Sequence, residues 1–469
     1  MNNPTMSHNY NPARRSLLAL VLVGAMGLAA CNTDELLTVP TPDVVRPSDL
    51  SSASALPNAY AATVGDFALG YAGSSRAGEE GLVNMSGLLS DEFYNSETFP
   101  TRVEVDMRRT NPINATMLTL FQNLQRARAT AELVSGRYVE LDPKNPNRVE
   151  VQALDAYTYV LFAENYCNGV PTSKVVDGAF VYGDPQTGIQ LLTIAIAKFD
   201  SAITAAGVTG AGANTGLNLA RIGKARAQVN LGNYAAAATT VAAVPTTYVY
   251  NIGASENTTR QNNGVFGYTF AQRRFSVASG EGGNGLAFNS SGDPRIGAFQ
   301  NPLGGFTASI PYFQTAKYQG TPAGTRNAPT PLALGTEARL IEAEAALAAA
   351  DDATFLAKLN EARANSKTYI RGNDPAPAAP APLTLVDLGL TPQSRQNLLF
   401  SERAYDLYLT AHRLGDLRRL IRQYGRGAET VFPTGPYLQG GVYGPDVNLP
   451  VPFEEQNNAK FTACIDRAA

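Results

Sequence analysis

The chain has 469 residues, enough for one large domain or two to three smaller ones, and only 16% of them are charged, below the roughly 25% usual for a globular protein. Its formal net charge is -3 and neither half carries a block of Lys and Arg, which argues against nucleic acid as a partner. Two histidines, His8 and His412, are too few for a multi-histidine zinc site, no nucleophile-elbow motif accompanies them, and no metal or cofactor is implied.

The N-terminus reads as a targeting segment. Arg14 and Arg15 precede the apolar run "SLLALVLVGAMGLAA" (16–30), which is short for a bilayer span of about 20 residues. Cys31 follows directly. "LAAC" (28–31) resembles the bacterial lipobox, which implies cleavage before Cys31 and its lipidation, so that residues 1–30 are a signal peptide. Residues 31–48 are rich in Pro, Thr and Asp without helical periodicity and read as an extended tether. A helix start is expected in "SDLSSA" (48–53), and residues 49–469 are expected to form one domain.

From there helical patterns alternate with irregular stretches. Helices are predicted over 114–136, with Leu118, Phe121, Leu124 and Ala131 on one face, and over 148–166, ending at "CNGVP". The pair 188–203 and 217–245 carries small Ala220, Gly223 and Ala227 where a neighbouring helix can approach, and "LGNY" turns the chain between helices. Such a pair resembles a tetratricopeptide repeat, and 336–366 and 391–421 look like further pairs. Two aromatic stretches rich in Gly, Asn and Pro, 62–110 and 248–331, read as long irregular insertions, and "DPAPAAPAPL" (374–383) as a connector. The expected fold is mostly α.

"ERAYDLYLTAHRLGDLRR" (402–419) is the most specific segment. Read as one continuous helix, it places Leu398, Tyr405, Leu409 and His412 on a buried stripe, and Glu402, Asp406, Thr410 and Arg413 on a face suited to ion pairs. Together with "LPVPFEEQNNA" (449–459), "DPRI" (293–296), "ARLIEAEAAL" (338–347) and "LNEAR" (359–363), it resembles the SusD/RagB family of nutrient-uptake lipoproteins over nearly the whole chain. The departures are Leu414, where the family has an aromatic residue, and the absence of Trp, which starch-binding members use as platforms.

The resemblance implies a SusD-like helical domain built on tetratricopeptide-like pairs. It further implies a non-catalytic lipoprotein of the outer membrane, exposed at the cell surface, that passes an oligosaccharide or peptide to a SusC-like TonB-dependent barrel transporter. Glu402, Arg403, His412, Arg413, Asp416 and Arg419 are then structural signature residues. Ligand candidates are Asp91, Phe93, Tyr94, Asn95, Phe99 and Arg102 in "SDEFYNSETFPTR", with Phe266, Tyr268 and Tyr312 in the Gly-rich stretch. Cys167 and Cys464 are either a disulfide, which export permits, or two buried thiols. A surface glycoside hydrolase with paired carboxylates and a repeat scaffold for other proteins are the competing readings.

Overall fold

The computed structural model describes residues 50–74, 79–176, 179–210, 214–307, 309–371, 375, 377–461 and 463–469. The expected signal peptide (1–30), Cys31 and the whole expected tether (31–48) lie outside them. A single 3-10 turn, Ala53–Ala55, leads into α1 (Leu56–Ala72), so regular helix begins a few residues later than expected, with Pro57 in its first turn where a missing N–H costs nothing.

The architecture is mostly α. Helices α2 (Leu82–Leu89) and α3 (Pro100–Asp106) precede the long α4 (Ala115–Leu141) and α5 (Asn147–Asn165). Asn114 caps α4 by accepting from the Met117 N–H, as its place in the sequence suggests. The buried face of α4 is Met117, Leu120, Phe121, Leu124, Ala127 and Ala131, while Leu118 is only half-buried. Helix α5 is buried on nearly every side, because α4, α6 (Gly188–Thr209) and α7 (Asn214–Asn230) all pack on it. Helix α6 is long and apolar enough to cross a membrane by length and composition. Its buried residues nevertheless recur at helical spacing (Leu191, Leu192, Ala195, Phe199, Ala202), and Lys198 pairs with buried Asp155 of α5 at 2.7 Å.

The turn "LGNY" separates α7 from α8 (Tyr234–Val241). Helices α9 (Gly335–Ala348) and α10 (Asp352–Asn365) form another pair, α9 packing on α8, and α11 (Pro392–Asp406) packs on α9. The insertions hold two-stranded antiparallel ribbons: β1 (Phe93–Asn95) with β3 (Phe275–Val277), β2 (Val249–Ile252) with β6 (Thr330–Leu334), and β4 (Ala298–Gln300) with β5 (Phe313–Thr315). In the first ribbon Phe93 faces Val277 and Asn95 faces Phe275. Cys167, two residues past α5, is bonded to Cys464 with their Cα atoms 5.9 Å apart, tying the C-terminal tail to that helix end.

Two expectations need correction. Residues 62–110 are not one irregular insertion: α1 runs to Ala72, and α2 and α3 lie within the stretch. All eight residues of α2 are buried, so it has no polar face for a periodicity to reveal. The signature segment is also not one helix. It breaks after Asp406 into a turn, 407–412, before α12 (Arg413–Arg422), with Leu409 and Ala411 left-handed at φ 52° and 57°. The two expected faces therefore do not form, although Leu409 and His412 of the expected stripe are buried. Leu398 and Tyr405 remain half-exposed, whereas Glu402, Asp406, Thr410 and Arg413 are buried.

Gly223 shows why a small residue sits at the α6–α7 crossing. A Cβ there would lie 2.2 Å from the Phe199 ring and 2.8 Å from Tyr157, both fully buried. Gly136, in the exposed part of α4, has open space around it. Gly223→Ala is expected to destabilise the protein by about 1–3 kcal/mol through overpacking, outweighing its gain in helix propensity, while Gly136→Ala gains up to about 1 kcal/mol. Denaturant unfolding of both variants checks the opposite signs.

Candidate functional site

The C-terminal signature residues form a buried ion-pair network. Arg403 and Asp416 make a two-bond pair at 2.8 and 3.0 Å, and Arg419 joins Asp416 (2.9 Å) to Glu344 of α9 (2.5 and 3.0 Å). Burial would raise the Asp416 carboxyl, but Arg403 and Arg419 hold it well below the usual range. Glu402 accepts from Arg295 of "DPRI" at 2.8 Å and from Arg363 of "LNEAR". His412 lies between the Thr410 carbonyl (Nδ1, 2.9 Å) and the Glu337 carboxylate (Nε2, 3.0 Å). Despite burial, His412 together with Arg226 and Arg403 keeps Glu337 below its ordinary value. These five signature residues thus join segments and present no open chemistry.

From this network the chain of contacts runs to β1. Arg413 grips Asp91 with two bonds of 2.6 and 2.8 Å, Glu92 accepts from the Leu409 N–H at 2.7 Å, and Tyr408 donates to the Glu92 carbonyl at 3.1 Å. Asp91 is therefore a structural anchor. Phe93, Asn95, Phe266, Tyr268 and Tyr312 are likewise inside the fold, Tyr94 is buried with its hydroxyl on the Pro311 carbonyl, and Tyr312 donates to Phe275 O at 3.0 Å. Their side chains present no ring face to a ligand, and as ligand candidates they are corrected to core and loop-packing residues. Composition marks a stretch as aromatic without saying which rings point outward.

Two of the nine candidates, Phe99 and Arg102, line an open cleft of about 580 Å³. Phe99 is 52% exposed because it is the residue before α3: Pro100 forces extended backbone on it, and its side chain leaves the helix end. Facing the same cleft is Phe306, 57% exposed, which was not among the sequence candidates. Its loop lies on Ser96: Thr307 N–H donates to Ser96 O (2.9 Å), and Phe306 N–H to Arg273 O (2.7 Å). Gly305 is required there, since a Cβ would meet Ser96 Cβ at 2.7 Å. The sequence signal for Phe306 was an aromatic residue directly after the pair Gly304-Gly305.

One buried carboxylate connects the two rings. Glu97, 1% exposed, accepts from Arg102 at 2.7 Å through one oxygen and from Arg274 through the other. The Arg102 guanidinium carbon stands 4.9 Å from the Phe99 ring centre, and that of Arg274 stands 4.2 Å from Phe306. Each ring thus turns one face to a guanidinium and is held by it. Glu80 takes the remaining charge of Arg102, so two carboxylates balance two guanidiniums. The hydroxyl-bearing Thr98, Thr101, Thr116 and Thr119 complete the wall. Exposed phenyl faces beside hydroxyl and guanidinium donors suit a ligand with apolar ring faces and polar edges.

A second acidic pair lies next to β1. Asp106 accepts from Tyr437 OH (2.6 Å) and the Asn95 N–H (2.7 Å), Glu281 accepts from Tyr443 OH (2.7 Å), and the two carboxyls hydrogen-bond each other. Burial raises Asp106 to about 7, and burial with the Asp106 charge lifts Glu281 well above its ordinary value. Burial and their mutual repulsion thus disfavour charging both carboxyls together.

No protein-family model matches the sequence, and no curated protein is similar to it. Solved structures do share its fold. A SusD/RagB-family protein from Bacteroides thetaiotaomicron superposes with a TM-score of 0.62 at 15% identity, over 86% of this chain and 94% of that one. A SusD-superfamily protein from Bacteroides vulgatus gives 0.61 at 17% identity over 89% and 100%. A SusD-like carbohydrate-binding protein from Bacteroides vulgatus gives 0.57 at 14% identity over 78% and 83%.

Two stability predictions follow from this geometry. Phe99→Ala and Phe306→Ala, at exposed positions, should shift unfolding free energy by no more than about 0.5 kcal/mol, whereas Arg102→Ala strands Glu80 and Glu97 and should cost about 3–5 kcal/mol. Asp106 is raised in the folded state, so its contribution is full below the unfolded value of about 4 and is lost as pH rises to about 7. Asp106→Asn, which supplies a permanent donor to Glu281, should therefore stabilise at pH 8 and gain less at pH 5, as read by urea unfolding at both values. The fold of this chain is the one that these SusD-superfamily proteins share.

Proposed function

We propose that the chain is a SusD/RagB-family nutrient-binding lipoprotein that takes up an oligosaccharide in the Phe99–Phe306 cleft without catalysing its breakdown. The observation that carries this reading is the pair of exposed rings fixed from behind by Arg102, Glu97 and Arg274. A pyranose offers an apolar face to each ring and hydroxyls to the arginines and threonines. A solved neighbour with this fold is described as carbohydrate binding, which supports the choice of ligand class. Against hydrolysis, Glu97 is the cleft's lining carboxylate and both its oxygens are occupied by guanidiniums, leaving none to act as general acid or base.

In this reading Cys31 carries the lipid anchor, the protein faces outward at the outer membrane, and a SusC-like TonB-dependent transporter receives the cargo. Cys31→Ser should release the protein from the membrane fraction, and a mild-detergent pull-down should bring a large β-barrel with the native form.

The ligand assignment is tested by affinity electrophoresis and calorimetry against a panel of neutral polysaccharides, their oligosaccharides and peptides. Phe99→Ala and Phe306→Ala should each weaken oligosaccharide binding about tenfold, equivalent to about 1.4 kcal/mol, with an unchanged melting temperature. Full binding by both variants would remove the cleft from consideration. Binding of peptides alone would overturn the carbohydrate assignment.

A further inference from the structure

A second cleft, of about 420 Å³, opens between residues 316–321 and the segment 367–370 that follows α10. Two lysines meet there around one tyrosine. Lys317 Nζ stands 5.6 Å, and Lys367 Nζ 5.5 Å, from the centre of the same Tyr369 ring. Lys317 is 7% exposed and gives one hydrogen bond to the Tyr408 carbonyl, which leaves two ammonium protons. Lys367 is exposed. Lysine ion pairs among the described residues are those of Lys198, Lys224, Lys358 and Lys460; Lys317 and Lys367 are in none.

Two like charges near one another without a counter-ion repel, and Lys367 does disfavour the charged form of Lys317. The carboxyls that act on Lys317 are Asp406 and Glu92. Burial lifts Glu92 to about 8, so it is mostly neutral at pH 7, and burial raises Asp406 as well. Burial lowers Lys317 only to about 8, so it is still mostly charged at pH 7. Among the described residues neither lysine has a carboxylate in ion-pair contact, so the cleft offers positive charge in a chain of net charge -3.

We propose that this cleft is a separate binding site for the carboxylate of a sugar-sized anion, held by the exposed Lys367 ammonium beside Tyr369 with the charge of Lys317 behind the ring. The volume lies within the range of about 300–1,000 Å³ usual for small-molecule sites. Ammonium groups act as point charges and accept a carboxylate without the planar fork that arginine imposes. Asn251, Gln319 and Thr321 on the wall can hydrogen-bond ligand hydroxyls. The site shares no residue with the Phe99–Phe306 cleft and does not rest on the function proposed for it.

The test is calorimetry of the whole chain with glucuronate, glucose and glucose 6-phosphate, on the wild type, Lys367→Gln and Phe99→Ala. Lys367 is exposed, so its replacement leaves the fold intact. Glucuronate should bind at least about tenfold more tightly than glucose, and the difference should shrink as ionic strength rises. Lys367→Gln should remove most of that preference and Phe99→Ala none of it. Equal binding of glucuronate and glucose, full discrimination by Lys367→Gln, or its loss in Phe99→Ala would overturn the proposal. Tighter binding of glucose 6-phosphate than of glucuronate would overturn the carboxylate assignment.

Discussion

The rest of the structure depends on one turn, residues 407–412 between α11 and α12. It contains neither Gly nor Pro, yet it places Leu409 and Ala411 in the left-handed region at a cost of about 1–2 kcal/mol each. Side chains from distant segments hold it there. Tyr71 of α1 donates to Thr410 O at 2.9 Å, Tyr318 donates to Leu409 O, Lys317 to Tyr408 O, and Arg226 of α7 to Ala411 O at 3.3 Å. Four consecutive carbonyls that no helix could use thus find donors, so the turn's geometry is set by the tertiary fold and not by its own sequence.

That turn also aims the arginines that follow it. Arg413 reaches Asp91, Arg419 reaches Glu344, and Arg418 caps the end of α5 by donating to Ala163 O (2.9 Å) and Glu164 O (2.6 Å), where the helix carbonyls gather negative charge. Buried ion pairs of this kind add little net stability, since desolvation offsets most of their attraction. Removing one partner leaves a buried charge unpaired, so the network penalises any other docking of these helices. Its contribution is to select one arrangement.

The sequence made the helical architecture legible where helices had two faces or a small residue at a crossing, as in α4 and at Gly223. It also picked out "DPRI", "ARLIEAEAAL" and "LNEAR" as parts of the resemblance, and the structure shows that each supplies a partner to Glu402 or Arg419. It hid α2, which is buried all round, and the break at 407–412, whose left-handed residues are Leu and Ala and carry no turn signature. For the site it picked out Phe99 and Arg102 together with seven residues that packing has claimed. An aromatic side chain packs or protrudes according to what covers it, and that covering comes from residues 266–313, far from 91–102 in the chain. Pro100 was the one local clue, because it fixes the direction in which Phe99 leaves the backbone.

Phe99 and Phe306 lie 207 positions apart in sequence, and Glu97 joins the guanidiniums on which both rest. Their placement is therefore set by a buried carboxylate together with Pro100 and the Ser96–Gly305 contact. A ligand that bridges them meets rings already held on one side, so little side-chain freedom remains to be lost on binding. Asp91, at the other end of the same short segment, carries the constraint back to Arg413 and the strained turn. The opening to solvent and the most buried part of the fold are thus connected through residues 91 to 97, which places the exposed rings under the control of the core.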